Sequence, residues 1–253
     1  VPHLRFKEDK IPPELGTALV ESLAEDDEDI IYAVDNAVSY RDLDEGQLPA
    51  MLKLLENEET RDGALRVLAE GALSDESLID PIAAGFQSED EQTRIYATSA
   101  LREFGEAGLK KMLNIFVDAD MPDHARLAAG NGLVMMSQES EGFEGKDAFR
   151  DPLVALLSAE QEGLRQRAAV ILAMWGHEWA PLQKDVLSSL TADDYQIRHG
   201  IFRIANSRAD DLKGAEDALL AMVASDDEEA RNSAANLLGR IGEPSPKVSE
   251  ALI

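Results

Sequence analysis

The chain has 253 residues, of which 44% are hydrophobic, so it can bury a sizeable core in one elongated domain or two compact ones. Aromatic residues make up only 5%, and the apolar residues are mostly Ala, Leu, Ile and Val, which favours helices over a sheet. The 50 acidic residues against 24 basic ones give a net charge of −26, which disfavours nucleic acid and anionic membranes as partners. The absence of cysteine excludes disulfides and thiolate metal sites.

No stretch of the sequence approaches the ~20 apolar residues that a membrane-spanning helix needs. The sequence begins with Val1 rather than Met, so we expect a leader or an upstream region to have been removed. The cellular compartment stays undecided at this stage.

The first predicted element is a leading helix. The segment PPELGTALVESLAE (12–25) has prolines where a helix can begin, and it follows an N-terminal arm. A degenerate copy of a later motif comes next, with Ile30 in the first position and apolar residues at helical spacing after it.

The rest of the chain repeats one pattern, in which an arginine precedes small or apolar residues at positions +3, +4 and +7. These arginines are Arg61, Arg94, Arg126, Arg165, Arg198 and Arg231. Counted from Ile30, the successive separations are 31, 33, 32, 39, 33 and 33 residues. The one long interval contains a polar, glycine-containing insertion (137–147), and we expect it to form a loop between two helices.

The residue pattern of each unit predicts two helices. The apolar stripe after the arginine predicts helix A, and the acidic stretches before it suit N-caps. A glycine-containing turn then leads to a second amphipathic segment, helix B. The B segments are 48–55, 77–86, 109–116, 151–157, 182–190, 215–223 and 247–253. Pro81 lies inside the second of them, so that helix should kink or start late.

The acidic loop DDEEAR (226–231), the Ala-rich helix RNSAANLLGRIG (231–242) and the apolar helix B resemble the HEAT-repeat family, most closely the short HEAT-like repeats named after phycobilisome lyases. The motifs of ankyrin and tetratricopeptide repeats are missing. The resemblance covers roughly residues 26–253. It implies an all-α, right-handed α-solenoid, a superhelix of stacked antiparallel helix pairs with about seven repeats.

The predicted domain organisation is a single repeat domain over residues 1–253. Residues 1–25 form the arm and leading helix, and the repeats lie near 26–55, 56–87, 88–117, 118–158, 159–191, 192–223 and 224–253. The resemblance further implies that the repeated arginine ties neighbouring repeats together through acidic groups or loop carbonyls. Its recurrence in six units favours such a structural role over catalysis.

Residues suited to catalysis or metal binding are scarce. The histidines lie apart, without an i, i+4 partner, and they are His3, His124, His177 and His199. HEAT-repeat hydroxylases need several His-Glu pairs, and this chain has the one pair at 177–178. The run DADMPD (118–123) lacks the glycine and glutamate of a calcium loop. We therefore predict no catalytic residue, no metal site and no cofactor.

Two local features stand above this background as candidate partner contacts. The turn WGHEWAP (175–181) brings together Trp175, His177 and Trp179; core packing is the default explanation, and an anchor in an interface is the alternative. Lys110 and Lys111 stand out in an acidic chain, and Lys53 lies in a roughly equivalent part of an earlier helix B; a solvated helix face is the default explanation here, and an electrostatic anchor is the alternative.

These features favour a monomeric, non-enzymatic scaffold that binds a protein partner of basic or mixed character through its B helices and acidic loops. Two alternatives stay open. One is a bilin lyase or chaperone-like activity, by analogy with the proteins that gave the repeat its name. The other is that these residues are the binding region of a larger enzyme.

Overall fold

The computed structural model describes residues 10–25, 27–38, 43–136, 142–177, 182–191, 198, 202, 205–206, 212, 214–241 and 245–251. Its contacts divide the chain into two compact units, Val1–Gly132 and Leu133–Ile253. Within the described residues every regular element is helical, and none is a β-strand.

The described part of the chain contains fourteen α-helices. In chain order they are α1 Pro13–Ser22, α2 Glu28–Val38, α3 Leu48–Glu56, α4 Glu58–Ala69, α5 Ile79–Ala84, α6 Glu91–Arg102, α7 Gly105–Val117, α8 Asp123–Met135, α9 Asp147–Leu156, α10 Glu162–Met174, α11 Gln183–Ser188, α12 Glu216–Val223, α13 Glu228–Arg240 and α14 Pro246–Ala251. In the predicted order, α2, α4, α6, α8, α10 and α13 are A helices and the others are B helices; most of the A segment predicted between α11 and α12 lies outside the described residues.

The first unit stacks its helices in two rows. The A helices α2, α4 and α6 pack one against the next, and so do the B helices α1, α3, α5 and α7. The rows also contact each other, since α3 packs on α4 and α6 on α7. This is the arrangement of a helical-repeat solenoid, which confirms the predicted all-α repeat fold.

The second unit shows the same kind of pairing. In it α9 packs on α10, α10 packs on α11, and α12 packs on both α13 and α14. The two units therefore use the same building block, a helix A packed on a helix B.

The small and apolar positions of the repeated motif form the core. The alanines three residues after an arginine have no exposed surface, and they are Ala64, Ala97, Ala129, Ala168 and Ala234. The leucines seven residues after it are equally buried, and they are Leu68, Leu101, Leu133, Leu172 and Leu238. A methyl group at the first position lets helices approach closely, and the leucine fills the space beside it.

Two helix starts depart from a simple pattern. At α5, a short 3₁₀ turn over Glu76–Leu78 comes first, and the α-helix begins at Ile79. Pro81 thus falls in the first turn, where its missing N–H is not needed, so the helix starts late as predicted. In contrast, α9 begins at Asp147, four residues before the predicted start at Asp151.

The early start of α9 has a packing cause. Phe143 and Phe149 are both buried, and their ring centroids lie 6.3 Å apart. The two rings pack the segment around the predicted helix start onto the core, and the helix includes Asp147, the last residue of the predicted loop.

Two glycines in helices make a matched pair for testing the packing. A Cβ added to Gly108 in α7 would lie 1.8 Å from the carbonyl oxygen of Leu101 in α6, whereas a Cβ on Gly239 in α13 would meet nothing within 4 Å. We expect Gly108→Ala to lower the free energy of unfolding by ~1–3 kcal/mol, because backbone must move. Gly239→Ala should raise it by ~0.5–1 kcal/mol through helix propensity. Urea denaturation of both variants measures this, and a neutral Gly108→Ala would contradict the close approach of α6 and α7.

Candidate functional site

The repeated arginines reach backward to main-chain carbonyls at the end of the preceding helix B or in the loop that follows it. In the first unit, the Nε of Arg61 donates to the carbonyl of Leu55 at 2.9 Å. The Nη1 of Arg94 donates to the carbonyls of Ser88 at 2.7 Å and Glu89 at 2.9 Å. Each side chain therefore connects the end of one repeat to the first helix of the next.

The second unit repeats this geometry. The Nη1 of Arg165 donates to the carbonyls of Ala159 at 2.7 Å and Glu160 at 2.8 Å. The Nη1 of Arg231 donates to the carbonyl of Ser225 at 2.9 Å. In all four cases an acceptor lies six residues before the arginine, so sequence spacing and contact geometry recur together.

Two of the six arginines differ. The Nε of Arg126 donates to the carbonyl of Phe116, ten residues back, at 3.1 Å, and Phe116 still lies within helix α7. The Nη2 of Arg198 lies 3.0 Å from a carboxylate oxygen of Glu229, the residue two positions before Arg231 in the next A helix. Both carbonyls and carboxylates thus accept from these arginines.

A groove opens on the B-helix row of the first unit, between α5 and α7. Its volume is about 250 Å³. Its apolar floor includes Ala83, Ala84 and Ile115, and its polar lining consists of Asp80, Gln87, Lys111, Asn114 and Asp118. Lys111 is a predicted partner contact and Asp118 belongs to the DADMPD run, whereas Asp80, Gln87 and Asn114 carry no sequence motif.

Lys111 reaches across the groove from α7 to α5. Its Nζ lies 2.7 Å from an Oδ1 of Asp80, which is 31 residues away along the chain. An ion pair at a similar separation joins Lys247 of α14 to Asp217 of α12 in the second unit. The spacing of about one repeat is the signal that could have found these pairs in the sequence.

The other two candidate lysines carry no such pairing. Lys53 and Lys110 are both exposed, and neither forms an ion pair with another described residue. The burial pattern places Lys53 of α3 in register with Ala84 and Asn114, not with Lys110 or Lys111. The three lysines therefore occupy different positions on the B-helix row.

The described part of the tryptophan-containing segment, residues 175–177, forms a helix C-cap. Gly176 has φ +78°, the left-handed conformation common at helix ends. Its N–H donates to the carbonyl of Ala173, and the N–H of His177 donates to the carbonyl of Leu172. Trp175 is only 5% exposed, which supports core packing, and its Nε1 is buried without a hydrogen-bond partner. His177 is half-buried, and Trp179 lies outside the described residues.

Acidic residues cap the helix starts as the sequence predicts. The carboxylate of Asp90 accepts the backbone N–H of Thr93 at 2.7 Å, at the start of α6. This backbone hydrogen bond, with a second one from the Thr93 hydroxyl, lowers the pKa of Asp90 from its ordinary value. Hydrogen bonds from the side chain and backbone of Ser77 lower the pKa of Asp75 in the same way.

Among the residues that the structure describes, no group of three or more His, Asp or Glu side chains is placed to hold a metal ion. None of the described helices is long and apolar enough to cross a membrane.

No protein-family model matches the sequence, and no curated protein matches it either. Its fold is similar to the crystal structure of an engineered protein, with a TM-score of 0.52 and 18% identity over 95% of this chain and 66% of the other. It is also similar to the X-ray structure of the Escherichia coli protein YibA, with a TM-score of 0.54 and 14% identity over 83% of this chain and 74% of that one. At these identities the likeness concerns the fold alone.

Arg94 tests the junction contacts. We expect Arg94→Ala to lower the free energy of unfolding by ~1–3 kcal/mol, because two carbonyls lose a charged donor. Arg94→Lys keeps the charge but not the planar fork, so it should restore only part of that loss. The control is Arg150→Ala, which removes an exposed arginine 3.6 Å from Asp147 and should cost little. Equal losses for Arg94→Ala and Arg150→Ala in urea denaturation would contradict a structural role of the junction.

The pH dependence of stability tests the helix cap formed by Asp90. Because its pKa is lowered in the folded state, the carboxylate stabilises the fold above its ordinary pKa, and this contribution disappears as the pH falls through the lowered value. Asp90→Asn keeps a capping oxygen but cannot titrate. We therefore expect wild type to lose stability relative to Asp90→Asn as the pH falls below about 4, measured by urea denaturation across pH. Parallel pH profiles would show that the cap does not titrate.

Proposed function

We propose that the chain is a monomeric, non-enzymatic scaffold of short HEAT-like repeats that binds a protein partner through its B-helix row and acidic loops. The observation that supports this most is the groove between α5 and α7, which places exposed polar and charged side chains over an apolar floor. A binding surface needs that combination: apolar atoms to bury and polar groups to select the partner.

The repeated arginines support the scaffold part of the proposal. Five of the six donate to main-chain carbonyls at the junctions between repeats. Their donors are therefore used within the fold and are not available to a partner. Residues available for a partner are then the exposed ones that differ from repeat to repeat, such as Lys53, Asn114 and Lys110.

The charge of the chain supports a partner of basic or mixed character. A net charge of −26 raises the encounter rate with a basic protein and slows it with an acidic one. Such steering weakens as salt screens the charges, so the proposal predicts salt-sensitive binding.

Charge reversals on the two helix rows test which row binds. Lys53→Glu and Lys110→Glu lie on B helices, and Arg240→Glu on the A helix α13 makes the same change of charge on an exposed residue. With the chain as bait in native cell extract, we expect the two B-row variants to retain more of a basic partner than wild type does. Arg240→Glu should retain about as much as wild type.

Two results would contradict the proposal. Equal effects of all three variants would mean that only net charge matters and that the B row is not the binding surface. No partner at any salt concentration would leave the scaffold without a ligand. Thermal unfolding of each variant checks that the reversals leave the fold intact.

A further inference from the structure

The groove between α5 and α7 has the size of a side chain. Its volume of about 250 Å³ lies below the ~300–1,000 Å³ of pockets that hold small-molecule ligands. It lies open on the B-helix row, where a passing peptide can insert a single residue. The lining residues decide which side chain of a peptide fits.

The polar lining is rich in acceptors. Asp80 and Asp118 supply carboxylates, and the amide nitrogen of Gln87 points to the sulfur of Met121 at 4.0 Å, which leaves the amide oxygen as an acceptor. Asn114, exposed on α7, adds a further amide oxygen. The cation among the lining residues is Lys111, and two carboxylates against one ammonium leave the groove with a net charge of −1.

The apolar lining suits a long aliphatic stem. Ala83, Ala84, Ile115 and Met121 supply methyl and methylene surface between the polar groups. An apolar stem that ends in a cation is the structure of lysine and arginine, which bury their methylene groups and keep the charge at a polar edge.

Lys111 already shows this mode of binding within the chain. Its side chain is 31% exposed, and its ammonium binds Asp80, whose side chain is 84% exposed. A partner cation that approaches Asp80 must therefore compete with Lys111. Arginine is favoured in this competition, because its planar fork has five donors and binds a carboxylate in a bidentate manner.

We propose that this groove takes an arginine side chain of the partner, with Asp80 and Asp118 as its acceptors, and that Lys111 occupies Asp80 in the unbound protein and holds the affinity down. The proposal rests on the proposed function, because it names the chemistry of one contact of that scaffold. It also reverses the role of Lys111, which becomes an internal competitor and not a partner contact.

Two adjacent lysines allow a matched test. Lys110→Gln and Lys111→Gln remove the same charge one residue apart, but only the second frees Asp80. The probe is a short peptide, acetyl-Gly-Arg-Gly-amide, and its control carries citrulline, a neutral isostere of arginine. The binding constant comes from NMR titration of isotope-labelled protein at low salt, followed on the amide signals of Ala84 and Asn114.

We expect Lys111→Gln to bind the arginine peptide about two- to five-fold more tightly than Lys110→Gln does, the range of one exposed ion pair. Asp118→Asn should weaken binding by a similar factor, and the citrulline peptide should bind weakly to every variant. Far-UV circular dichroism confirms that each variant is folded.

Several results would overturn the proposal: equal affinities of the two lysine variants, equal binding of the citrulline peptide, or shifts spread over acidic residues elsewhere with none at Ala84 and Asn114. These outcomes leave the proposed function standing, because it is tested by partner retention in the charge-reversal variants at Lys53 and Lys110. Conversely, if Lys53→Glu and Lys110→Glu retained no more partner than wild type, the scaffold function would be contradicted, and the result of the peptide titration would not change.

Discussion

The carbonyl groups where helix B of one repeat ends and the chain turns into helix A of the next need hydrogen-bond donors, and in this chain an arginine of that helix A supplies them. Arg94 and Arg165 each bind two such carbonyls, and Arg61 and Arg231 each bind one. One side chain thereby joins the end of one repeat to the start of the next at each of these four junctions.

The choice of acceptor suits a strongly acidic protein. A carbonyl acceptor adds no charge to a chain whose net charge already stands at −26. Carboxylates take part as well, since Asp123, Asp185 and Glu229 lie 3.0–3.7 Å from Arg126, Arg165 and Arg198. A short, half-buried hydrogen bond to a carbonyl is less screened by salt than an exposed ion pair.

The candidate binding groove follows from the same stacking. Two B helices in register bring a residue of one repeat beside a residue about 31 positions later, as with Asp80 and Lys111. Alanines at positions 83 and 84 leave space that a larger residue would fill, and the polar residues at the rim then line an opening. The junction arginines do not line the groove. The repeated residues therefore form the core and the junctions, and the residues that vary between repeats supply the polar and charged groups of the groove.

The sequence by itself determined the helix alternation, the core positions and the helix caps, because these depend on local periodicity and on short-range hydrogen bonds. The arginine at position +0, the alanine at +3 and the leucine at +7 have the same surroundings in every well-formed copy, so one copy explains the others. Only the tertiary structure decided the burial of Trp175, the early start of α9 and the pairing of Lys111 with Asp80. Each of these depends on a neighbour from another element, and no local pattern in the chain encodes which neighbour that is.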